Sequence, residues 1–193
     1  MTAVTVRAAL PTDSAAIARV QVASWRVAYA GIVPRTYLDQ LSEARNAAGW
    51  DRVISQSRRP TVVAEDGGTV VGFACGGVPA RDTLTGADAE LDAIYVHPSR
   101  QREGAGRLLA AEVAAGAAAD GARTMAVWVL TDNRPARAFY ERLGAVMCGG
   151  VVRDIDFGWG MPIEEMAYRW NDLSLLRGGP VPPRGEPRPA PGR

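Results

Sequence analysis

A loop between a strand and a helix carries the residues best suited to chemistry. Residues 101–107 read QREGAGR and follow the largely apolar run 90–96. Unpaired N–H groups at a helix start carry the positive end of the helix dipole, and glycine lets an anion approach them closely. Arg100, Arg102 and Arg107 would add charge-assisted donors. The segment predicts a phosphate-binding loop, although a plain helix start with solvated arginines is the alternative.

A second pattern lies about thirty residues further along the chain. Residues 133–144 read NRPARAFYERLG, which predicts a helix that begins near Pro135 and is stopped by Gly144. Asn133 and Tyr140 are seven residues apart, so they lie on nearly the same helix face. Asn133 stands where a helix cap would stand. Tyr140 is either an aromatic packing residue or a phenol that can donate a proton.

Together, the spacing Gln101-x-x-Gly104-x-Gly106 and the Asn133 to Gly144 segment resemble the GNAT superfamily of N-acetyltransferases. The resemblance covers roughly Thr5 to Trp170 and implies acetyl-CoA as co-substrate, with no metal. It implies that the loop holds the coenzyme pyrophosphate and that strand residues 94–96 bind pantetheine through their backbone. The cofactor-binding residues implied are Ile94, Tyr95, Val96, Gln101, Arg102, Glu103, Gly104, Ala105, Gly106, Arg107, Asn133 and Tyr140.

Two residues are predicted to be catalytic. The resemblance places the Tyr140 hydroxyl near the thioester sulfur, where it would act as the acid. An alkylammonium acceptor must lose a proton before it attacks, and Glu90 stands where some family members have a glutamate base. Asp92 is the reserve candidate, and a water-facing carboxylate is the alternative role for Glu90. Strand alternation predicts that both carboxylates share a face with Ile94 and Val96.

Acceptor recognition is predicted from the first two helices and the last strand pair, which line the acceptor groove in related enzymes. A mixed aromatic and acidic lining would suit a cationic amine, small molecule or peptide, although the same residues could be core. Trp25 and Tyr29 are the substrate-binding predictions. The wider set of groove candidates is Trp25, Tyr29, Tyr37, Asp156, Trp159 and Glu164.

Composition excludes several other chemistries. The 22 basic residues are all arginine, against 21 acidic residues, and the net charge is +1. A chain without lysine has no Schiff-base lysine and no Gly-Lys-Ser/Thr phosphate loop, and near-neutral charge argues against nucleic-acid or membrane partners. His97 is the single histidine, so a His-rich metal site is excluded, and we expect His97 to have a structural role. Cys75 and Cys148 are too few for a disulfide framework, so the cytoplasm is expected, with both as small buried residues.

The periodicity of the chain predicts an α/β domain. Residues 1–173 would form a GNAT-like mixed sheet of about seven strands with helices on both faces. The first helix should run to about Tyr29 with Ile17, Val20, Ser24 and Val27 on one face. Residues 174–193 are rich in Pro, Gly and Arg and are expected to be a disordered tail.

The predicted function is therefore N-acetyl transfer from acetyl-CoA to an amine, by direct attack in a ternary complex. The alternative is a non-catalytic acyl-CoA-binding sensor or interaction module that keeps the loop without the acid and base. A homodimer is possible by analogy with the family.

Overall fold

The computed structural model describes residues 4–56, 59–81, 83–155 and 162–176. Within these ranges the strands are β1 (Thr5–Ala8), β2 (Thr61–Asp66), β3 (Thr69–Gly77), β4 (Ala89–Val96), β5 (Met125–Leu130), β6 (Val146–Ile155) and β7 (Ile163–Trp170). The α-helices there are α1 (Ser14–Ala28), α2 (Arg35–Asp39), α3 (Glu43–Gln56), α4 (Ala105–Ala119) and α5 (Arg134–Arg142). The predicted fold class is confirmed: seven strands form one mixed sheet with helices on both faces.

The sheet contains a built-in opening. Its order is β1-β2-β3-β4-β5-β7-β6, and β4 and β5 are its parallel pair among otherwise antiparallel neighbours. That pair is joined only where Ala89 and Glu90 meet Met125 and Ala126. Since β4 continues to Val96 and β5 to Leu130, the two strands separate toward their carboxyl ends. The separation leaves a cleft in the middle of the sheet.

Helix α4 packs closely on one face because its inward positions are small. Buried residues recur every three or four positions, at Ala105, Leu109 with Ala110, Val113 with Ala114, and Ala117. They join β-strand residues and the fully buried Tyr168 and Trp170 in the larger core. On the other face α1 and α3 cover a second core built around Ile17, Val20, Val63, Val70 and Phe73. The two cores cover the two faces of the sheet.

A β-bulge in β4 changes which side chains share a face. Leu91 pairs with Gly76 and Ala93 pairs with Cys75, so Asp92 is an extra residue without a partner on β3. Before the bulge, Leu91 packs in the α4 core. After it, Ala93 packs on the α1 side. The alternation of side chains between the two faces of the sheet therefore shifts by one residue at Asp92.

The bulge corrects one sequence prediction. Ala89 and Leu91 lie in the α4 core, so Glu90 points to the opposite face. Ile94 and Val96 also pack on the α4 core. Glu90 therefore does not share a face with Ile94 and Val96, as uninterrupted alternation predicted. It faces the α1 side instead.

Two further predictions need correction at the ends of elements. Val27 is 62% exposed and does not share the buried face of α1 with Ile17 and Val20. The chain is also folded beyond residue 173: Leu173–Leu175 forms a 3-10 turn, and Leu176 is 2% exposed in the larger core. Residues 177–193 of the predicted tail lie outside the described ranges. No helix in the described part of the chain is long and apolar enough to span a bilayer.

Candidate active site

The predicted phosphate loop opens helix α4 with uncapped backbone N–H groups. Gly104 is the N-cap residue, with φ of +94°, a left-handed conformation that favours glycine. It offers no side-chain cap, and its carbonyl accepts from the N–H groups of Arg107 and Leu108. The N–H groups of Ala105 and Gly106 have no acceptor among the described residues. This arrangement suits an anion at the positive end of the helix dipole.

Gly106 also has a packing role that the sequence did not reveal. A Cβ built there would lie 3.2 and 3.3 Å from two ring carbons of Phe139. The bare Gly106 backbone therefore lets α4 and α5 approach each other at the cleft. The two sequence motifs meet at this contact.

Replacing Gly106 with Val should raise the KM for acetyl-CoA about tenfold, because the new side chain must displace Phe139 and the loop beside it. Direct measurement of the CoA dissociation constant by calorimetry checks it. Gly116→Ala is the matched control in the same helix, since a Cβ there meets nothing within 4 Å. An unchanged CoA affinity in Gly106→Val would contradict the assignment of this loop to the coenzyme.

The loop is braced by its own side chains. Arg100 forms ion pairs with Asp66 and with Glu103, the latter at 2.9 Å. Gln101 Nε2 donates to the Val96 carbonyl at 3.2 Å. Arg100 thus braces the loop through these ion pairs, and its role as a phosphate donor stays a prediction. Arg102, with φ of +66°, is exposed at the loop surface.

The edge of β4 turns backbone groups into the cleft. The His97 N–H donates to the Val71 carbonyl, and Tyr95 pairs with Phe73 in the same register. Because hydrogen bonding alternates along an antiparallel pair, the N–H groups of Ile94 and Val96 point away from β3. They face the side where β5 has diverged. That edge can accept an extended ligand as an additional strand-like partner.

Helix α5 brings Asn133 and Tyr140 to the same region. Asn133 is buried, and its Oδ1 accepts from the Ala136 N–H at 3.2 Å, so its predicted capping role is confirmed. Tyr140 is buried, and its ring packs edge-on against Trp170, with centroids 6.0 Å apart. Burial raises the pKa of Tyr140, and its hydroxyl has no hydrogen-bond partner among the described residues. It therefore remains a protonated phenol near neutral pH.

Aromatic side chains from α1 converge on the same space. The Tyr29 and Tyr95 hydroxyls are 3.0 Å apart, and Trp25 packs edge-on against Tyr29 with centroids at 5.0 Å. Burial, with a contribution from Tyr95 and then Tyr140, raises the pKa of Tyr29 well above its ordinary value. The structure thus brings Trp25, Tyr29, Tyr95 and Tyr140 together. Tyr37 extends the group through its ring contact with Trp25.

The two candidate carboxylates have different surroundings. Glu90 is 5% exposed, and its Oε2 accepts the Arg81 N–H at 2.8 Å. The Asp92 carboxylate forms ion pairs with the guanidinium groups of Arg59 and Arg81, at 2.6 and 3.0 Å. Two arginines hold Asp92 as a structural anion. Glu90 is the better candidate for a base.

On the last strand pair, the acidic side chain that lies close to Glu90 is Glu165 and not Glu164. Glu164 is exposed, and its Oε1 accepts from the Thr131 hydroxyl at 2.8 Å. Glu165 pairs with Arg153, whose guanidinium carbon lies 4.0 Å from the Trp128 ring centroid. Burial raises the pKa of Glu165, Arg153 opposes the shift, and the charge of Glu90 adds to it. The other two groove candidates, Asp156 and Trp159, lie outside the described residues.

Four residues of this site escaped the sequence reasoning: Arg59, Arg81, Arg153 and Glu165. Alternation along β7 could have found Glu165, since Glu165 and Ala167 pair opposite Leu130 and Trp128 on one face. Arg59 and Arg81 lie outside regular elements, and no local pattern marks them. Their role depends on a bulge that only the folded sheet reveals.

The two cysteines and the histidine have surroundings that fit structural roles. Cys75 is buried as predicted, whereas Cys148 is only partly buried, and burial raises the pKa of both thiols. His97 caps the turn that follows β4 by accepting from the Ser99 N–H, in agreement with its predicted structural role. In the described ranges no three potential ligands cluster as a metal site would require.

Comparison with known proteins defines the family. The model of the acetyltransferase (GNAT) family matches residues 22–145. The chain is 39% identical over 175 residues to YuaI of Bacillus subtilis (strain 168), an uncharacterized N-acetyltransferase; the match covers 90% of this chain and 96% of YuaI. It is 27% identical to MnaT of Escherichia coli (strain K12), named an L-amino acid N-acyltransferase, over 89% of this chain and 91% of MnaT.

Solved structures share the fold. An N-acetyltransferase, PaiA, of Thermoplasma acidophilum in complex with coenzyme A matches with a TM-score of 0.64 and 21% identity, covering 88% of this chain and 100% of that one. YncA of Salmonella typhimurium, solved with acetyl-CoA, matches with a TM-score of 0.64 and 19% identity, over 98% and 100%. This chain belongs to the GNAT family of acetyltransferases. It is an acyltransferase enzyme of that family.

Proposed function

We propose that the acceptor amine attacks acetyl-CoA directly in the cleft, with Glu90 as the base and Tyr140 as the acid. The observation that carries this proposal is the convergence of three features where β4 and β5 separate. They are the open strand edge at Ile94 and Val96, the buried carboxylate of Glu90, and the buried phenol of Tyr140, which interacts with Tyr95 and has no hydrogen-bond partner in the described part of the chain. The uncapped start of α4 supplies the anion site beside it.

Each group has one task in the transfer. Glu90 takes a proton from the acceptor ammonium, which frees the nitrogen lone pair to attack the thioester carbonyl carbon. A new C–N bond forms as the C–S bond breaks, and the nitrogen then loses its second proton, which returns to the Tyr140 oxygen through solvent and leaves a neutral amide. The Tyr140 hydroxyl donates its proton, or a hydrogen bond, to the departing sulfur. A raised phenol pKa keeps that proton available near neutral pH. The N–H groups of Ile94 and Val96 can bind pantetheine, and one of them can polarise the thioester carbonyl.

Replacing Tyr140 with Phe should lower kcat about 10²-fold or less, because the ring still fills its site while the hydroxyl proton is lost. The KM for acetyl-CoA should change little. Steady-state thiol release at saturating acceptor measures both. An unchanged kcat would remove Tyr140 from the mechanism and leave it as a packing residue against Tyr168 and Trp170.

A non-catalytic acyl-CoA sensor is the weaker alternative. The curated relatives above are named as acetyltransferases or acyltransferases. The cleft also retains both a candidate acid and a candidate base. Binding of CoA by calorimetry without turnover on any amine would favour the sensor.

For the acceptor, we infer a small amine that enters as an ammonium. The carboxylates of Glu90 and Glu165 and the rings of Trp25 and Tyr29 fit a cation through charge and cation–π contacts. Among small amines, amino acids are the first class to test, because the Escherichia coli relative is named for them. The two unpaired cysteines, Cys75 and Cys148, fit a reducing compartment, so the cytoplasm is the proposed location.

A thiol-release screen with acetyl-CoA tests the acceptor class. The panel contains free amino acids, peptides with free N-termini, polyamines and aminoglycosides. We expect the highest kcat/KM for a small amine, with peptides slower. Preference for a peptide N-terminus would overturn the small-acceptor proposal while leaving acetyl transfer intact.

A further inference from the structure

The strongest unassigned feature beside the cleft is the pair of arginines around Asp92. Arg59 Nε and Nη2 donate to the two Asp92 oxygens at 2.6 and 2.8 Å. Arg81 Nε and Nη2 donate to the same two oxygens at 3.0 and 3.1 Å. Asp92 is the extra residue of the β4 bulge, so its carboxylate projects where regular pairing would not place it. One buried carboxylate thus receives four charge-assisted hydrogen bonds.

Arg81 links this cluster to the proposed base. Its side chain is bound to Asp92, and its own backbone N–H donates to Glu90 Oε2 at 2.8 Å. The Arg81 side chain is otherwise 61% exposed. Among the described residues, Asp92 is therefore the residue that holds the long Arg81 side chain in place. Arg59 stabilises the same region of β4, because its Nη2 also donates to the Glu90 carbonyl at 3.1 Å.

We propose that Asp92 and Arg81 are positioning residues for acetyl transfer: the Asp92 carboxylate holds the Arg81 side chain, which keeps the Arg81 N–H on the Glu90 carboxylate. The proposal rests on the role of Glu90 as the base. Neither residue touches the reacting atoms. Their effect passes through the hydrogen bond from the Arg81 N–H, which positions the Glu90 carboxylate and stabilises its ionised form.

Other charges also act on Glu90, and the test must separate them. Glu165 approaches from β7 and repels it. The charged and titratable groups around Glu90 and Asp92 are Arg59 before β2, Cys75 on β3, Arg81 in the β3–β4 loop, Asp92 itself on β4 and Glu165 on β7. Because Arg81 and Glu165 act with opposite sign on a carboxylate, their removal should move the acidic limb of the pH–rate profile in opposite directions.

The test is the pH profile of kcat/KM for Arg81→Leu. Every Arg81 variant keeps the backbone N–H, so the substitution removes the tether to Asp92 together with the guanidinium charge that also acts on Glu90. We expect the acidic limb to move up by about 0.5–1 pH unit, the worth of one hydrogen bond to a charged group. Activity at the plateau should fall no more than about threefold, and the KM for acetyl-CoA should not change. Arg35→Leu, on a side chain 92% exposed in α2, is the matched control.

Two further variants sharpen the result. Arg81→Lys keeps the charge without the planar fork and should give a smaller shift. Asp92→Asn removes the tether and also a negative charge near Glu90, and the charge effect alone would move the limb to lower pH. A shift to higher pH, as in Arg81→Leu, therefore reports loss of the tether, with thermal unfolding run in parallel because Arg59 loses its buried partner. Glu165→Gln should move the limb to lower pH. If the limb instead disappears in Glu165→Gln, it reports Glu165 and the proposal is overturned.

The outcomes distinguish this inference from the proposed function. Superimposable profiles for Arg81→Leu and the wild type, together with a strong loss in Glu90→Gln, would overturn the positioning role alone. Full activity in Glu90→Gln would instead overturn the base on which both depend.

Discussion

Replacing Glu90 with Gln should lower kcat/KM about 10²- to 10³-fold at neutral pH. The amide has the same shape and can still accept the Arg81 N–H, but it cannot take a proton from the acceptor ammonium. The loss should shrink as the pH rises, because a growing fraction of the acceptor is then already deprotonated in solution. Thiol-release rates of the variant and the wild type across the same pH range provide the measurement.

The matched control is Glu112→Gln, the same substitution at an exposed position of α4. It should leave kcat/KM within about twofold, as surface changes usually do. A Glu90→Gln enzyme with undiminished activity at neutral pH would rule out Glu90 as the base. Since Asp92 is held by two arginines, such a result would point to Glu165 as the next carboxylate to test.

Replacing Gly76 with Ala should destabilise the fold by about 3 kcal/mol, through overpacking of the β4 bulge. A Cβ at Gly76 would lie 2.5 Å from the Glu90 carbonyl oxygen and 2.9 Å from Val113 Cγ1. One neighbour is backbone and the other is a buried core residue, so neither gives way easily. The urea midpoint measures the loss of stability, and kcat should fall as well because the bulge orients Glu90.

Gly49→Ala is the control for this prediction. It lies inside α3, where a Cβ meets nothing within 4 Å. Alanine should be neutral or stabilising there by up to about 1 kcal/mol. Equal urea midpoints for Gly76→Ala and the wild type would mean that β3 and β4 are not held as closely as the structure indicates.

Much of the fold is predictable because its signals are local. The hairpin turn at Gly67-Gly68, the Asn133 cap and the regular burial of α4 each follow from a few neighbouring residues. The cleft could be predicted only from the family resemblance. The apolar patterns of β4 and β5 do not predict that the pairing of the two strands stops after two residues. Strand separation is a property of the whole sheet.

The error in the face assigned to Glu90 has one physical cause. A bulge adds one residue to a strand, so every alternation argument that crosses it assigns the wrong face. Uninterrupted alternation therefore groups Glu90 with Ile94 and Val96, whereas the prediction of Glu90 as the base rests on the family resemblance and is independent of that grouping. Glu164 and Glu165 are a separate case that involves no bulge: adjacent strand residues face opposite sides, and it is Glu165 whose charge interacts with Glu90.

The most direct test of direct transfer is an initial-rate experiment with acetyl-CoA and the best acceptor both varied. A ternary complex predicts double-reciprocal lines that intersect, with acetyl-labelled acceptor as the product and no acetylated protein when the acceptor is withheld. Parallel lines, together with an acetyl group on the protein detected by mass spectrometry, would show a covalent intermediate. That result would contradict the assignment of Glu90 and Tyr140 as the base and acid of a single direct step.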